Sequence, residues 1–184
     1  SKNGRIYISK LKNKTIFADL KLLDIPNTCA STIKSIKDLK NINYLTVHIS
    51  GGLKMLKAVK SASGKIKILG VTTLTSLDNN DLKKIGYNRN LKQIVIKLTK
   101  LAKLAKLDGI ICSPNEAKYL KKICKGMEII TPGIRLKGDS SQDQKRVANP
   151  KDAFNNGATG IVIGRSITKG NISKNLKNLI SHLS

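Results

Sequence analysis

The sequence predicts an α/β protein built on a parallel sheet, and three observations carry that expectation. Short apolar stretches of strand character alternate with amphipathic helical stretches, with no repeat or low-complexity linker in the 184 residues. That is the order of successive βα units. The apolar stretches are apolar on both faces, as strands covered by helices on each side should be. The notable polar residues fall where those stretches end: Asp19 and Lys21, His48 and Ser50, Thr75 and Ser76, Ser113, Arg135, and Arg165. A closed barrel and an open doubly wound sheet both bind ligands at the strands' C-terminal ends. The pattern alone leaves these two architectures open.

Taken in order, a helical stub over about residues 5–13 precedes a strand over 15–22. A helix follows over about 28–39, with Ile33, Ile36 and Leu39 on one face. The second strand spans 44–50, and Gly51-Gly52 opens a helix carrying Leu53, Leu56 and Val59. The third strand, 65–74, ends in Thr72-Thr-Leu-Thr-Ser76 and leads to a short polar helix around 81–85. A longer helix over about 91–106 has Leu91, Ile94, Val95, Leu98, Leu101, Ala102 and Ala105 at helical spacing. Its Lys97, Lys100, Lys103 and Lys106 form a solvated face. The fourth strand, 108–113, runs through Pro114, suited to an early helical position, into a further helix. The fifth, 128–131, meets Pro132-Gly-Ile-Arg135; residues 136–149 have no apolar period and read as a loop. Loops of that length in compact domains are usually functional. A short helix over 150–156, a sixth strand over 160–164 and a last helix marked by Ile172, Leu176, Leu179, Ile180 and Leu183 complete the chain.

Composition narrows the classes. No apolar run approaches the ~20 residues of a membrane span, and the start lacks the apolar core of a signal peptide. Cys29, Cys112 and Cys124 have no metal-type spacing, and an odd count argues against a disulfide framework. They read as reduced thiols of a cytoplasmic protein. The net charge is +24, from 35 basic and 11 acidic residues, a balance that would suit nucleic acid. Yet the lysines are spread over every helix and aromatics are 3% of the chain. There is neither a stacking platform nor an arginine-rich arm. The bias fits AT-rich coding better than a nucleic-acid role, although anionic substrates would be steered to such a surface.

The chemistry concentrates in Asp19-Leu-Lys-Leu-Leu-Asp-Ile-Pro-Asn-Thr28. Side chains two apart on a strand share a face, so Asp19 and Lys21 occupy the same space. Asp24 lies just beyond, before Pro26. A lysine held between two carboxylates is costly to bury unless paired; a surface ion-pair run is the alternative. Two arginine turns, Pro132-Gly-Ile-Arg135 and Gly164-Arg165, suit phosphate, because glycine allows close backbone approach and arginine forks onto oxyanions. Between them Asp143-Gln-Lys-Arg146 sits in a loop able to fold over a phosphate.

Six ordered motifs carry a resemblance. They are Asp-x-Lys-x-x-Asp-Ile-Pro-Asn-Thr (19–28), Leu-Thr-Ser (74–76), Cys-Ser-Pro-Asn-Glu-Ala (112–117), Thr-Pro-Gly-Ile-Arg (131–135), Asp-Gln-Lys-Arg (143–146) and Val-Ile-Gly-Arg-Ser-Ile-Thr (162–168). From about Gly4 to the C-terminus the chain resembles the bacterial orotidine 5′-phosphate decarboxylase family. The resemblance implies a (β/α)8 TIM barrel with six of its eight strands in this chain, residues 1–184 forming one domain incomplete at its N-terminus. It implies cofactor-free decarboxylation of orotidine 5′-phosphate to uridine 5′-phosphate by a homodimer, with no metal and with neither membrane nor nucleic acid as partner. Lys21 matches the catalytic lysine, Asp19 the carboxylate beside the departing group, and Asp24 the aspartate reaching the neighbouring subunit's site. Ile25, Thr28 and Thr75 match substrate contacts, Thr75 at the pyrimidine or ribose. Arg135, Gln144, Gly164 and Arg165 match phosphate and loop-closure positions.

Two departures accompany it. Leu23 stands where the family usually has histidine. The family's first two βα units, with a strand-ending aspartate and lysine, have no counterpart here. The expectation is therefore a fragment of a longer polypeptide, with an open sheet having two exposed edges. A sugar-phosphate decarboxylase of the same superfamily and a basic nucleic-acid-binding domain are the alternatives. His48 reads as structural more readily than as a site residue.

Overall fold

A computed structural model describes residues 2–136 and 148–183. Six strands are present among them: β1 (Ile16–Leu22), β2 (Ile42–His48), β3 (Lys67–Val71), β4 (Gly109–Ile111), β5 (Glu128–Thr131) and β6 (Gly160–Ile161). They follow one another in a single sheet in sequence order, and β1·β2, β2·β3 and β5·β6 pair in parallel. The parallel α/β expectation stands; eight strands are not present among the described residues. The helices are α1 (Lys2–Lys10), α2 (Pro26–Lys34), α3 (Gly52–Ala62), α4 (Asn79–Lys84), α5 (Leu91–Leu104), α6 (Pro114–Leu120), α7 (Pro150–Asn155), α8 (Arg165–Thr168) and α9 (Ile172–Leu183). None is long and apolar enough to cross a membrane.

The chain divides into two compact units, the first comprising Ser1–Thr72 and Leu98–Ile110. Its core is aliphatic: Leu45 and Val47 of β2, Met55, Leu56 and Val59 of α3, and Ile68 and Leu69 of β3 are fully buried. Burying each such side chain stabilises the fold by about 1.5–3 kcal/mol. Strand β1 differs from its expected burial. Among the described residues its only strand neighbour is β2; Ile16 and Phe17 are half-covered and Leu20 is 49% exposed.

Helix α2 begins two residues earlier than its pattern suggests, because Pro26 pre-sets the first helical residue. It ends at Lys34 rather than near Leu39. Thr32 and Ser35 turn their hydroxyls back onto the carbonyls of Thr28 and Thr32, which competes with regular helix. Residues 36–39 continue as i→i+3 turns. Asp108 closes the start of β3: its carboxylate accepts from Ile68 N at 2.8 Å and from Lys60 Nζ at 2.6 Å, and its own N–H donates to Ile68 O.

The second unit comprises Thr73–Lys97 and Ile111–Ser184. Asp78 caps α4 through the N–H groups of Asn80 and Asp81, and the Asp81 carboxylate accepts from Asp78 N in return. At α6 the nearly buried Glu116 accepts from Ser113 N at 2.8 Å. Ile134, Ala153 and Ala158 form a small core with Ile161 and Ile163 packed against it. Lys97, Lys100, Lys103 and Lys106 are exposed. Ile172, Leu176, Ile180 and Leu183 form an apolar stripe on α9 that stays 43–63% exposed.

Candidate active site

The C-terminal end of β1 is irregular. Ala18 pairs with Leu45 and Leu22 with Val47, so Asp19, Leu20 and Lys21 together stand opposite Thr46 alone. Lys21 takes up this slack with a φ of 47°, in the left-handed region that side chains rarely adopt. Its amide therefore donates to the Thr46 hydroxyl at 2.9 Å, and that hydroxyl donates to Asp19 Oδ1 at 2.8 Å. Lys21 Nζ meets the other carboxylate oxygen, Asp19 Oδ2, at 2.5 Å. Asp19 and Lys21 thus share a space as alternation implies, but through a bulged strand rather than a flat one.

Lys21 and Asp19 have side chains 40% and 50% exposed. A pair this open contributes only ~0–1 kcal/mol to stability, so its geometry is not explained by a need for ionic stabilisation. His48, half-buried at the end of β2, has its pKa lowered first by burial and then by the Lys21 charge, with Asp19 opposing.

Asp24 does not join the Lys21–Asp19 pair. Its Oδ1 accepts from Ile25 N at 2.6 Å, and among the described residues no ion pair joins it to Lys21. Among the described residues the lysine has one carboxylate partner rather than two, because Asp24 turns back onto its own chain at the entry to α2. Asp24 and Thr28 are exposed, as are Leu23 (57%) and Ile25 (66%). Beneath them Cys29 Sγ donates to Asp24 O at 3.6 Å. Burial pushes the Cys29 thiol pKa up.

The other sequence-derived positions lie in the second unit. Thr75 is half-buried in a turn closed by Leu77 N donating to Leu74 O. Arg135 follows Gly133, whose φ of 80° suits glycine. The Arg135 N–H donates to Ala148 O at 3.0 Å and its guanidinium to Ile134 O at 3.0 Å. Gly164 and Arg165 are exposed, and Gly164 O accepts from Ile167 N and Thr168 N, forming the short α8 that the apolar pattern does not signal. Gln144 and the rest of Asp143–Arg146 lie outside the described residues. Thr46 has no motif to mark it. It reads as an ordinary strand threonine until the register is known.

These features define a parallel βα protein with a lysine–carboxylate pair at one strand end. Residues 5–175 match the family described as orotidine 5′-phosphate decarboxylase / HUMPS, and the chain belongs to that family. It is 53% identical over 160 residues to orotidine 5′-phosphate decarboxylase of Wolbachia pipientis from Culex pipiens, covering 85% of this chain and 70% of that protein. To the protein of the same name from the Wolbachia of Brugia malayi it is 52% identical over 171 residues, 91% of this chain and 75% of the relative. The crystal structure of orotidine 5′-phosphate decarboxylase from Lactobacillus acidophilus superposes with a TM-score of 0.85 at 34% identity, covering 98% of this chain and 81% of that one.

Proposed function

We propose that this chain carries out the decarboxylation of orotidine 5′-phosphate to uridine 5′-phosphate in pyrimidine biosynthesis, as a cytoplasmic enzyme. The observation that carries the reading is the Lys21–Asp19 contact on the bulged end of β1, in a chain whose close relatives bear that enzyme's name. When the bond to the carboxylate breaks, its electron pair stays on the pyrimidine carbon. An ammonium beside that carbon stabilises the developing charge and then delivers the proton that replaces carbon dioxide. Lys21 is assigned that role. Asp19 orients the ammonium and lies beside the departing carboxylate. No cofactor enters this scheme.

The remaining assignments rest on the family motifs. Asp24 serves the partner's site in a homodimer; its exposure between the exposed Leu23 and Ile25 supports this. Ile25, Thr28 and Thr75 contact substrate, and Arg135, Gln144, Gly164 and Arg165 take the phosphate. These residues belong to one domain of TIM-barrel type.

A sugar-phosphate decarboxylase of the same superfamily is the alternative, so turnover of orotidine 5′-phosphate should be compared with that of 3-keto-gulonate 6-phosphate. Turnover of the nucleotide is expected. Activity confined to the sugar phosphate would overturn the proposal.

A further inference from the structure

We propose that Thr46 is a positioning residue for the Lys21–Asp19 pair, a role that rests on the reading of Lys21 above. Thr46 is fully buried, and among the described residues its hydroxyl makes two bonds, both to that pair. It accepts from Lys21 N at 2.9 Å and donates to Asp19 Oδ1 at 2.8 Å. A hydroxyl has a single proton. Accepting from an amide, which can only donate, leaves that proton for the carboxylate. The direction of both bonds is thereby fixed.

The circuit closes on itself. Lys21 N–H meets Thr46 Oγ1, Thr46 meets Asp19 Oδ1, and Asp19 Oδ2 meets Lys21 Nζ at 2.5 Å. One side chain thus fixes both the backbone from which the ammonium projects and the carboxylate that orients it.

Two further observations separate this from a threonine placed only for packing. Lys21 lies at a φ of 47°, a conformation a non-glycine residue holds only where its surroundings impose it. The register leaves Thr46 as the only β2 residue facing the three bulged residues of β1, so the left-handed turn and its acceptor occur together. Asp19 and Lys21 are otherwise substantially open to solvent. Solvent alone would let both side chains sample many rotamers; Thr46 supplies the anchored end.

The experiment uses the full chain with Thr46→Val, which keeps shape and β-branching but removes the hydroxyl, and Thr46→Ser, which restores it. With orotidine 5′-phosphate, Thr46→Val should lower kcat by about 10- to 100-fold, the scale of a misplaced reacting group. KM should stay within about 3-fold, and Thr46→Ser should recover most of the loss. Hydrogen exchange at the Lys21 amide provides a readout independent of turnover. It should speed up by about 10-fold or more in Thr46→Val and not in Thr46→Ser. Unaltered Lys21 protection in Thr46→Val would overturn the proposal, as would equal losses in the two variants. Lys21→Ala, assayed alongside, separates the two levels: full activity there refutes the reading of Lys21 itself, whereas its inactivity with a fully active Thr46→Val refutes only the role of Thr46.

Discussion

The strand ends of the two units hold their polar residues in different ways. At the end of β1 each polar group is held by another side chain, Lys21 and Asp19 by each other and both by Thr46. At the turns after β5 and β6 main-chain bonds are prominent, between Arg135 and Ala148 and from the N–H groups of Ile167 and Thr168 to Gly164 O. The contrast fits the two tasks proposed for these residues. A proton donor must point at one atom, whereas a group binding a phosphate need only supply donors and charge to a nearly symmetric anion.

That contrast is open to test, from the largest expected effect downward. Lys21→Ala should abolish decarboxylation while the circular dichroism spectrum persists, since only one half-exposed ion pair is lost. Turnover at the wild-type rate would break the comparison at its first term. Arg165→Ala, on the exposed turn after β6, should weaken binding of uridine 5′-phosphate by about 10- to 100-fold, the loss of ~1.5–3 kcal/mol for a charge-assisted contact. Calorimetry showing unchanged affinity would remove Arg165 from the phosphate site.

Asp108→Ala should act on stability rather than chemistry. It strips partners from Lys60 and from the Ile68 amide, at a cost of about 1–3 kcal/mol in denaturant unfolding. A wild-type midpoint would show that the clasp is dispensable.

The smallest effect concerns His48. Its folded pKa lies below the ordinary 6.5, so the unfolded chain binds the proton more readily. The stability this neutral histidine contributes is whole above that value and is lost as pH falls below it. The melting temperature should therefore drop more between about pH 7 and pH 5 in the wild type than in His48→Gln. Parallel curves would argue against the shift.

Much of this architecture was legible because βα units advertise themselves. Apolar runs located all six strands, and the Asp19–Lys21 pair follows from strand alternation. What escaped depends on pairing across strands. Nothing in the order of residues tells that three residues of β1 face one of β2, so Thr46 looked like any β-branched strand residue. Nearness in sequence places Asp24 beside Lys21 as well, but it does not show that the Asp24 carboxylate accepts from the amide of its own neighbour, Ile25. Helix α2 is shorter than its apolar spacing suggests, because periodicity does not register hydroxyls that fold back onto the chain. At α8, four residues are too few to show a period.

The sheet's sequential order has a consequence for synthesis. Each strand pairs with the one made just before it, so on the ribosome pairing can proceed from the N-terminal side as the chain emerges. The unit bearing Lys21 is nevertheless not finished at Thr72, because it also needs Leu98–Ile110, including the carboxylate that clasps β3. For the time taken to translate those intervening residues, a few seconds at ~5–20 residues per second, β3 is without its clasp.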